Sequence, residues 1–311
     1  MNNMKGVSCV VLGANGFIGT NLMQKLISYG ANVKGFGRSE PNIYLKNIPW
    51  VMGDFSNKDV LTSAIKGCEI VYHLVDGSIP SMLNTTNSNI LMSSVCNTIN
   101  LLEICKEAGV RKIIYVSSGG TVYGITNTFP ILETNPTNPI CSYGINKLTS
   151  EKYIQLYHHL YNLDYTIVRL SNPFGPHQNT LKPQGIIATL ITNFLKNKVT
   201  EIWGDGEIIR DYIYITDVVE GLIRLVDCSG STKIFNIGSE IGRSINQIIA
   251  DLEKIVGQQK IKINYINSMR RVDVPINILS AELIKSQIDW NVKTDWHDAL
   301  NLTINWMENN S

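Results

Sequence analysis

Two short motifs carry the chemistry available to this chain. Tyr143-Gly144-Ile145-Asn146-Lys147 sets a phenol and an ammonium at i and i+4, hence on one face of a helix. A free tyrosine, with a pKa of about 10, is a poor base at neutral pH. A nearby ammonium, helped by an oxidised nicotinamide cation, favours the phenolate and brings the group towards the working range. Gly13-Ala14-Asn15-Gly16-Phe17-Ile18-Gly19 shapes a backbone cradle for a pyrophosphate. Gly13 permits the tight turn, Gly16 lets the backbone approach the phosphates, and Gly19 lets helix and strand pack closely. The helix that follows offers free N–H groups and the positive end of its dipole. With Ser117-Ser118 lying between them at a strand end, the two motifs describe a redox enzyme whose acid–base group is a tyrosine.

The tip of the second strand bears on the dinucleotide. NAD-binding folds place an acidic residue there for the ribose 2′-OH. Here the chain reads Phe36-Gly37-Arg38-Ser39, with Glu40 beyond the tip. Arg38 and Ser39 suit a 2′-phosphate through a guanidinium fork and a hydroxyl, so NADP(H) is expected, with NAD(H) as the alternative. In Gly53-Asp54-Phe55, Asp54 suits the adenine amino group and Phe55 packs nearby; a turn-capping aspartate is the competing reading. Asn15, Phe17, Ile18 and Leu74 complete the expected cofactor set.

These residues need a scaffold, and the hydrophobic pattern supplies one. Strands are expected at Val7–Leu12, Asn32–Phe36, Trp50–Met52, Ile70–Leu74, Ile113–Val116 and Tyr165–Leu170. Helices are expected at Phe17–Tyr29, Lys58–Ile65, Val95–Ala108 and Tyr143–Tyr161. The alternation predicts right-handed βαβ units and an α/β fold, a Rossmann-type doubly wound parallel sheet with a smaller C-terminal substrate-binding domain. Residues 1–170 form the dinucleotide domain, with returning strands at Ile213 and Ile234–Ile237, and residues 171–311 form mainly the substrate domain.

Composition narrows the function classes. A net charge of +1 over 311 residues leaves no electrostatic footprint for nucleic acid or an anionic membrane. No apolar run is long enough to span a bilayer and no secretory signal is evident, so a cytoplasmic enzyme is expected. The six cysteines form no C-x-x-C pair and have no histidine cluster, which predicts reduced thiols and no metal site. His73 is expected on a strand near the cofactor, and His177 and His297 on loops or the surface.

The ordered set GANGFIG, GDF, VYHLV, VSSGGTVYG, YGINK, RLSNPFGP, WGDGEIIRDYIYITDV, FNIGS and RRVDVP covers nearly the whole chain. It resembles the extended short-chain dehydrogenase/reductase family of nucleotide-sugar epimerases, dehydratases and reductases. The resemblance implies a nucleoside-diphosphate sugar as substrate and a homodimer. It assigns catalysis to Tyr143, Lys147 and a hydroxyl after the fifth strand. Counting from the strand puts that hydroxyl at Ser118; counting back from Val122-Tyr123-Gly124 puts it at Gly119. Ser118 is taken, with Thr121 in reserve. The resemblance also implies that Asn172, Arg210 and Arg271 bind the substrate phosphates; the competing reading for each arginine is a salt bridge to Asp211 or Asp273.

Three functions follow. The expected one is an NADP(H)-dependent reductase of a nucleotide-linked 4-keto-6-deoxy sugar, of the dTDP-4-dehydro-6-deoxyglucose type, with Tyr143 as proton donor. The alternative is a UDP-hexose 4-epimerase with retained NAD. A non-catalytic dinucleotide-binding regulator is the third. Gly119-Gly120-Thr121 lacks the acidic pair of the family's dehydratases, which argues against 4,6-dehydration.

Overall fold

The computed structural model describes residues 4–75, 88–178, 185–257, 260–267 and 273–310, with side chains in the helix that begins at Ser88 described from residue 93. The first half runs β1 (Ser8–Leu12), α1 (Phe17–Ser28), β2 (Asn32–Gly37), β3 (Trp50–Met52), α2 (Lys58–Ile65), β4 (Ile70–His73), α3 (Ser88–Glu107), β5 (Lys112–Ser118), α4 (Ser142–Tyr161) and β6 (Asp164–Leu170). The second continues with β7 (Asn172–Phe174), α5 (Ile186–Leu195), β8 (Thr200–Trp203), β9 (Ile209–Tyr214), α6 (Ile215–Arg224) and β10 (Ile234–Ile237). It closes with β11 (Gly242–Ser244), α7 (Ile245–Val256), β12 (Ile263–Ile266), β13 (Ile276–Asn277), α8 (Glu282–Gln287) and α9 (Trp296–Asn310).

Seven parallel strands form the main sheet in the order β10-β6-β5-β4-β1-β2-β3. Their apolar runs are continuous because both faces are covered. Alternate residues feed two cores: Val11, Ile114 and Val168 join one, while Val10, Ile113 and Ile167 join the other. The strand order reverses between β1 and β4, which opens the crevice where such sheets bind ligands. Gly13 turns there at φ 87°, and a side chain on it would touch the Leu74–Val75 backbone.

Lys112 secures the opposite end of β5. Its ammonium is buried and donates to the carbonyls of Leu225, Val226 and Cys228 at 3.1, 3.3 and 2.5 Å, just past α6. Burial lowers its pKa, partly offset by Asp164 at 3.6 Å.

Three expectations need correction. The strand at Ile213 does not return to the main sheet. It is part of β9, which pairs with β11 and β13 in a four-stranded sheet with β7 alongside, because β10 occupies the edge beside β6. The helix expected from Val95 begins at Ser88; the polar Ser93 and Ser94 interrupt its apolar spacing. β5 runs on through Ser117 and Ser118, which pair with Arg169 and Leu170 of β6 although neither serine is apolar.

Candidate active site

The glycine cradle is shaped for close backbone approach. A Cβ on Gly19 would lie 2.3 Å from the Gly13 carbonyl oxygen and 2.8 Å from Ala14 Cα, so only glycine lets α1 start this tightly against β1. Gly16 is the N-cap and offers no side-chain cap, and the first turn of α1, which includes Phe17 and Ile18, holds no acidic residue. These N–H groups suit an anion, and the cradle fits a dinucleotide pyrophosphate.

The loop after β2 is tied to that cradle. Asn15 donates through Nδ2 to Ser39 Oγ at 3.0 Å and to the Glu40 carbonyl at 2.8 Å, and its Oδ1 accepts from the Asn42 amide at 3.0 Å. Trp50 donates to the Ser39 carbonyl at 3.1 Å. Asn15 and Ser39, both expected to meet cofactor, thus meet each other. Arg38 is exposed. Asp54 is exposed too and caps a turn, accepting from the Ser56 amide at 2.9 Å and hydroxyl at 2.6 Å. Those bonds, and then the charge of Arg38, hold its carboxyl below the usual range. Phe55 is buried, its ring 6.5 Å from Phe36 and 5.2 Å from His73. His73 is likewise core, with Nε2 3.3 Å from Thr98 Oγ1. Leu74 donates its amide to the Leu12 carbonyl beside the crevice.

Tyr143 and Lys147 occupy the first two turns of α4. Cys141 caps this helix through Sγ, which accepts from the Gly144 amide at 3.4 Å. Lys147 is buried, donates to the Val116 carbonyl at 2.8 Å, and lies 4.9 Å from the Tyr115 ring centre and 5.8 Å from that of Tyr143. The helix therefore rests with its ammonium against the end of β5 and the Tyr143 ring beside that ammonium.

Geometry also separates the hydroxyl candidates. A Cβ on Gly119 would lie 2.4 Å from Leu279 Cδ1 and 3.2 Å from the Arg169 carbonyl, so a side chain there would have to displace Leu279. Asn277 holds the turn from below by donating to the Gly119 carbonyl at 3.0 Å. Ser118 ends β5 on the opposite pleat from Ser117, which is bound to Glu151 at 2.5 Å. Thr121 lies beside the start of α4, its carbonyl 2.8 Å from where a Gly144 Cβ would sit, and its hydroxyl is buried without a hydrogen-bond partner.

On the substrate side, Asn172 begins β7 and donates to the Asp211 carbonyl at 3.1 Å. Arg210 on β9 pairs with Asp273 at 2.7 Å. Asp211 is not its partner; it is fully buried and accepts from Ser239, Glu240 and Leu279. Burial pushes Asp211 up to about 6 against these bonds. Arg271 lies outside the described residues. Sequence reasoning missed Arg243, which stands opposite Arg210 across β11 and β9 and stacks on Trp296 at 3.9 Å. It also missed Leu279 and Asn277 beneath the serine turn; neither carries a sequence signal that links it to that turn.

Residues 9–238 match the family described as "NAD dependent epimerase/dehydratase family". The chain is 30% identical over 260 residues to the UDP-glucose 4-epimerase of Mycolicibacterium smegmatis, covering 80% of this chain and 82% of that protein. Its structure resembles the UDP-glucose 4-epimerase of Thermotoga maritima solved with UDP-glucose, at TM-score 0.91 and 30% identity, covering 97% and 99% of the two chains. It also resembles a mutant UDP-glucuronic acid 4-epimerase of Bacillus cereus in complex with UDP-4-deoxy-4-fluoro-glucuronic acid and NAD, at TM-score 0.85 and 25% identity, covering 97% and 99%.

These findings overturn the expected 4-keto-6-deoxy sugar reductase: relatives at 30% identity or above are UDP-sugar 4-epimerases. The expectation rested on the missing acidic residue after β2, and that position discriminates between dinucleotides rather than reactions. The NADP(H) preference drawn from Arg38 and Ser39 gains no support either, since the relative solved with a dinucleotide holds NAD. Among the described residues, no helix is long and apolar enough to cross a membrane.

Proposed function

The chain belongs to the NAD dependent epimerase/dehydratase family and is a nucleotide-sugar enzyme of the short-chain dehydrogenase type, and from that premise we propose that it is a UDP-hexose 4-epimerase with retained NAD. The observation that carries this reading is the likeness to UDP-glucose 4-epimerases over 80% and 97% of the chain, and the Lys147 ammonium beside the Tyr143 ring supplies the acid–base pair the reaction needs. In the cofactor's favour, exposed Arg38 has the Asp54 carboxylate within electrostatic reach, and the glycine cradle fits either dinucleotide.

The chain's own groups have separable tasks. Gly13, Gly16 and Gly19 admit the pyrophosphate, and the first turn of α1 donates to it. Bound NAD supplies reversible two-electron oxidation at C4 of the sugar. Tyr143 Oη takes the proton from the C4 hydroxyl and later returns it. Lys147 favours the phenolate at that stage. Ser118 donates a hydrogen bond to the same sugar oxygen, with Thr121 as the second candidate hydroxyl. Asn172, Arg210 and Arg271 hold the pyrophosphate. Anchoring there leaves the hexose lightly held, as epimerisation requires, since the ring must offer both faces.

The division of labour between residues 1–170 with their returning strand and residues 171–311 belongs to this proposal. So do a homodimer, for which exposed Ile145, Leu156 and Leu160 on α4 offer apolar surface, and a cytoplasmic location.

The test incubates purified protein with UDP-glucose, UDP-N-acetylglucosamine or UDP-glucuronate, without added dinucleotide, and follows the C4 epimer by NMR. Epimer should form, and Tyr143→Phe should lower kcat by about 10²-fold or more while nucleotide-sugar binding persists. Stoichiometric consumption of added NADPH by a 4-keto sugar, with no epimer formed, refutes the proposal.

A further inference from the structure

A buried polar row crosses the sheet directly beneath the proposed reaction site. Ser117 of β5, Arg169 of β6 and Asn236 of β10 are register partners on adjacent parallel strands, so their side chains share one face. They lie one residue before Ser118, Leu170 and Ile237. All three are buried.

Two outside elements close onto this row. Glu151 of α4, fully buried, accepts from the Ser117 hydroxyl at 2.5 Å and from Arg169 Nη2 at 2.7 Å, with Arg169 Nε at 3.2 Å. Tyr123, which follows the serine turn, accepts from Arg169 Nη1 at 3.1 Å and donates to Asn236 Oδ1 at 2.7 Å. Glu151 lies four residues past Lys147 and eight past Tyr143, on the same stripe of α4. Ser117 and Tyr123 bracket the turn that holds Ser118 and Thr121. The Glu151–Arg169 pair therefore ties the helix that bears the phenol and ammonium to both ends of the turn that bears the hydroxyls, Glu151 holding Ser117 and Arg169 holding Tyr123.

We propose that the Glu151–Arg169 pair, with Ser117 and Tyr123, is a positioning device that fixes the register of α4 against the serine turn. This rests on the reading of Tyr143 as the acid–base group. Ile154 and Tyr157 also seat α4 in the apolar core, but apolar contacts are non-directional and do not by themselves fix a register. A forked ion pair is directional and penalises small displacements. A buried ion pair is a poor source of stability but an apt source of specificity. None of the four side chains is assigned contact with substrate.

The experiment compares Glu151→Gln, Ser117→Ala, Ser117→Thr and the double variant Glu151→Met/Arg169→Met with wild type. Each is measured for urea stability, for kcat and KM of the 4-epimerisation against pH, and for amide hydrogen exchange in the first turn of α4. Glu151→Gln should lower kcat by about 10- to 100-fold, the scale of a misplacement of about 1 Å, and change KM less than about twofold. Its acid limb should move, because Lys147 and Tyr143, displaced with α4, no longer meet the Val116 carbonyl and the serine turn in the same geometry. Exchange in the first turn of α4 should quicken. The apolar double variant should recover stability without recovering rate. Ser117→Ala should lose rate in the same sense and Ser117→Thr should restore it; these two decide the matter if the Glu151 variants fail to fold.

Folded variants with wild-type kcat, pH profile and exchange overturn the device. If wild type shows no epimerisation, the acid–base reading fails, and the exchange measurement alone then judges the device: unchanged protection of α4 overturns it, and lost protection supports it.

Discussion

Filling Gly119 tests how tightly Leu279 packs beneath the serine turn. The residue is not in the left-handed region, so its backbone accepts alanine or serine and the cost is one of space. The added Cβ would sit 2.4 Å from Leu279 Cδ1, where ordinary contact begins near 3.4 Å, so the leucine must retreat by about 1 Å. Leu279 is fully buried against Val122, Tyr123 and Ile131 and has little room to do so. Overpacking of this kind costs about 1–3 kcal/mol. Leu279→Ala alone should cost about 2–5 kcal/mol through lost burial and a cavity. Combined with Gly119→Ser, however, it removes the obstructing methyl, so the double variant should cost less than the sum of the singles by about 1–3 kcal/mol. The serine then fills part of the cavity that the alanine opens. Urea unfolding of wild type, both singles and the double gives the complete cycle. Additivity within about 0.5 kcal/mol, or a Gly119→Ser protein as stable as wild type, would refute the packing argument.

Two further predictions concern stability. Asp211 is held by four hydrogen bonds, yet burial raises its carboxyl to about 6 from 3.8. A raised carboxyl binds its proton more tightly in the folded state, so its stabilising contribution is present below about pH 4 and is lost as pH rises to about 6. The full span corresponds to about 3 kcal/mol, read as the stability of wild type minus Asp211→Asn across that range. A difference that grows with pH would show that the hydrogen bonds outweigh burial. Lys112→Met should destabilise by about 3 kcal/mol at neutral pH, since it strips the donor from three carbonyls past α6 at a buried site. A thermal midpoint within about 1 °C of wild type would refute that role.

Local chemistry was legible in the sequence because it depends on short spacings. The glycine cradle follows from turn geometry, and a phenol four residues before an ammonium needs only a helix to share a face. The βαβ alternation likewise announces a doubly wound sheet. The distinction between reductase and epimerase was not legible, because both use the same tyrosine and lysine. The strand-tip arginine pointed to a reductase, which the relatives overturn, and to NADP(H), which they leave without support.

What the tertiary structure alone decided is set by register between distant segments. Strand order put Ser117, Arg169 and Asn236 in one row, although they are spread over more than a hundred positions. The approach of Leu279 crowded Gly119, and Asn277 took up its carbonyl. The β9 strand, which reads as a return to the main sheet, joined the smaller one because β10 had filled the available edge. Periodicity tells a segment which face it buries, but not which neighbour will cover that face. That choice is made by packing and hydrogen bonding across the assembled chain.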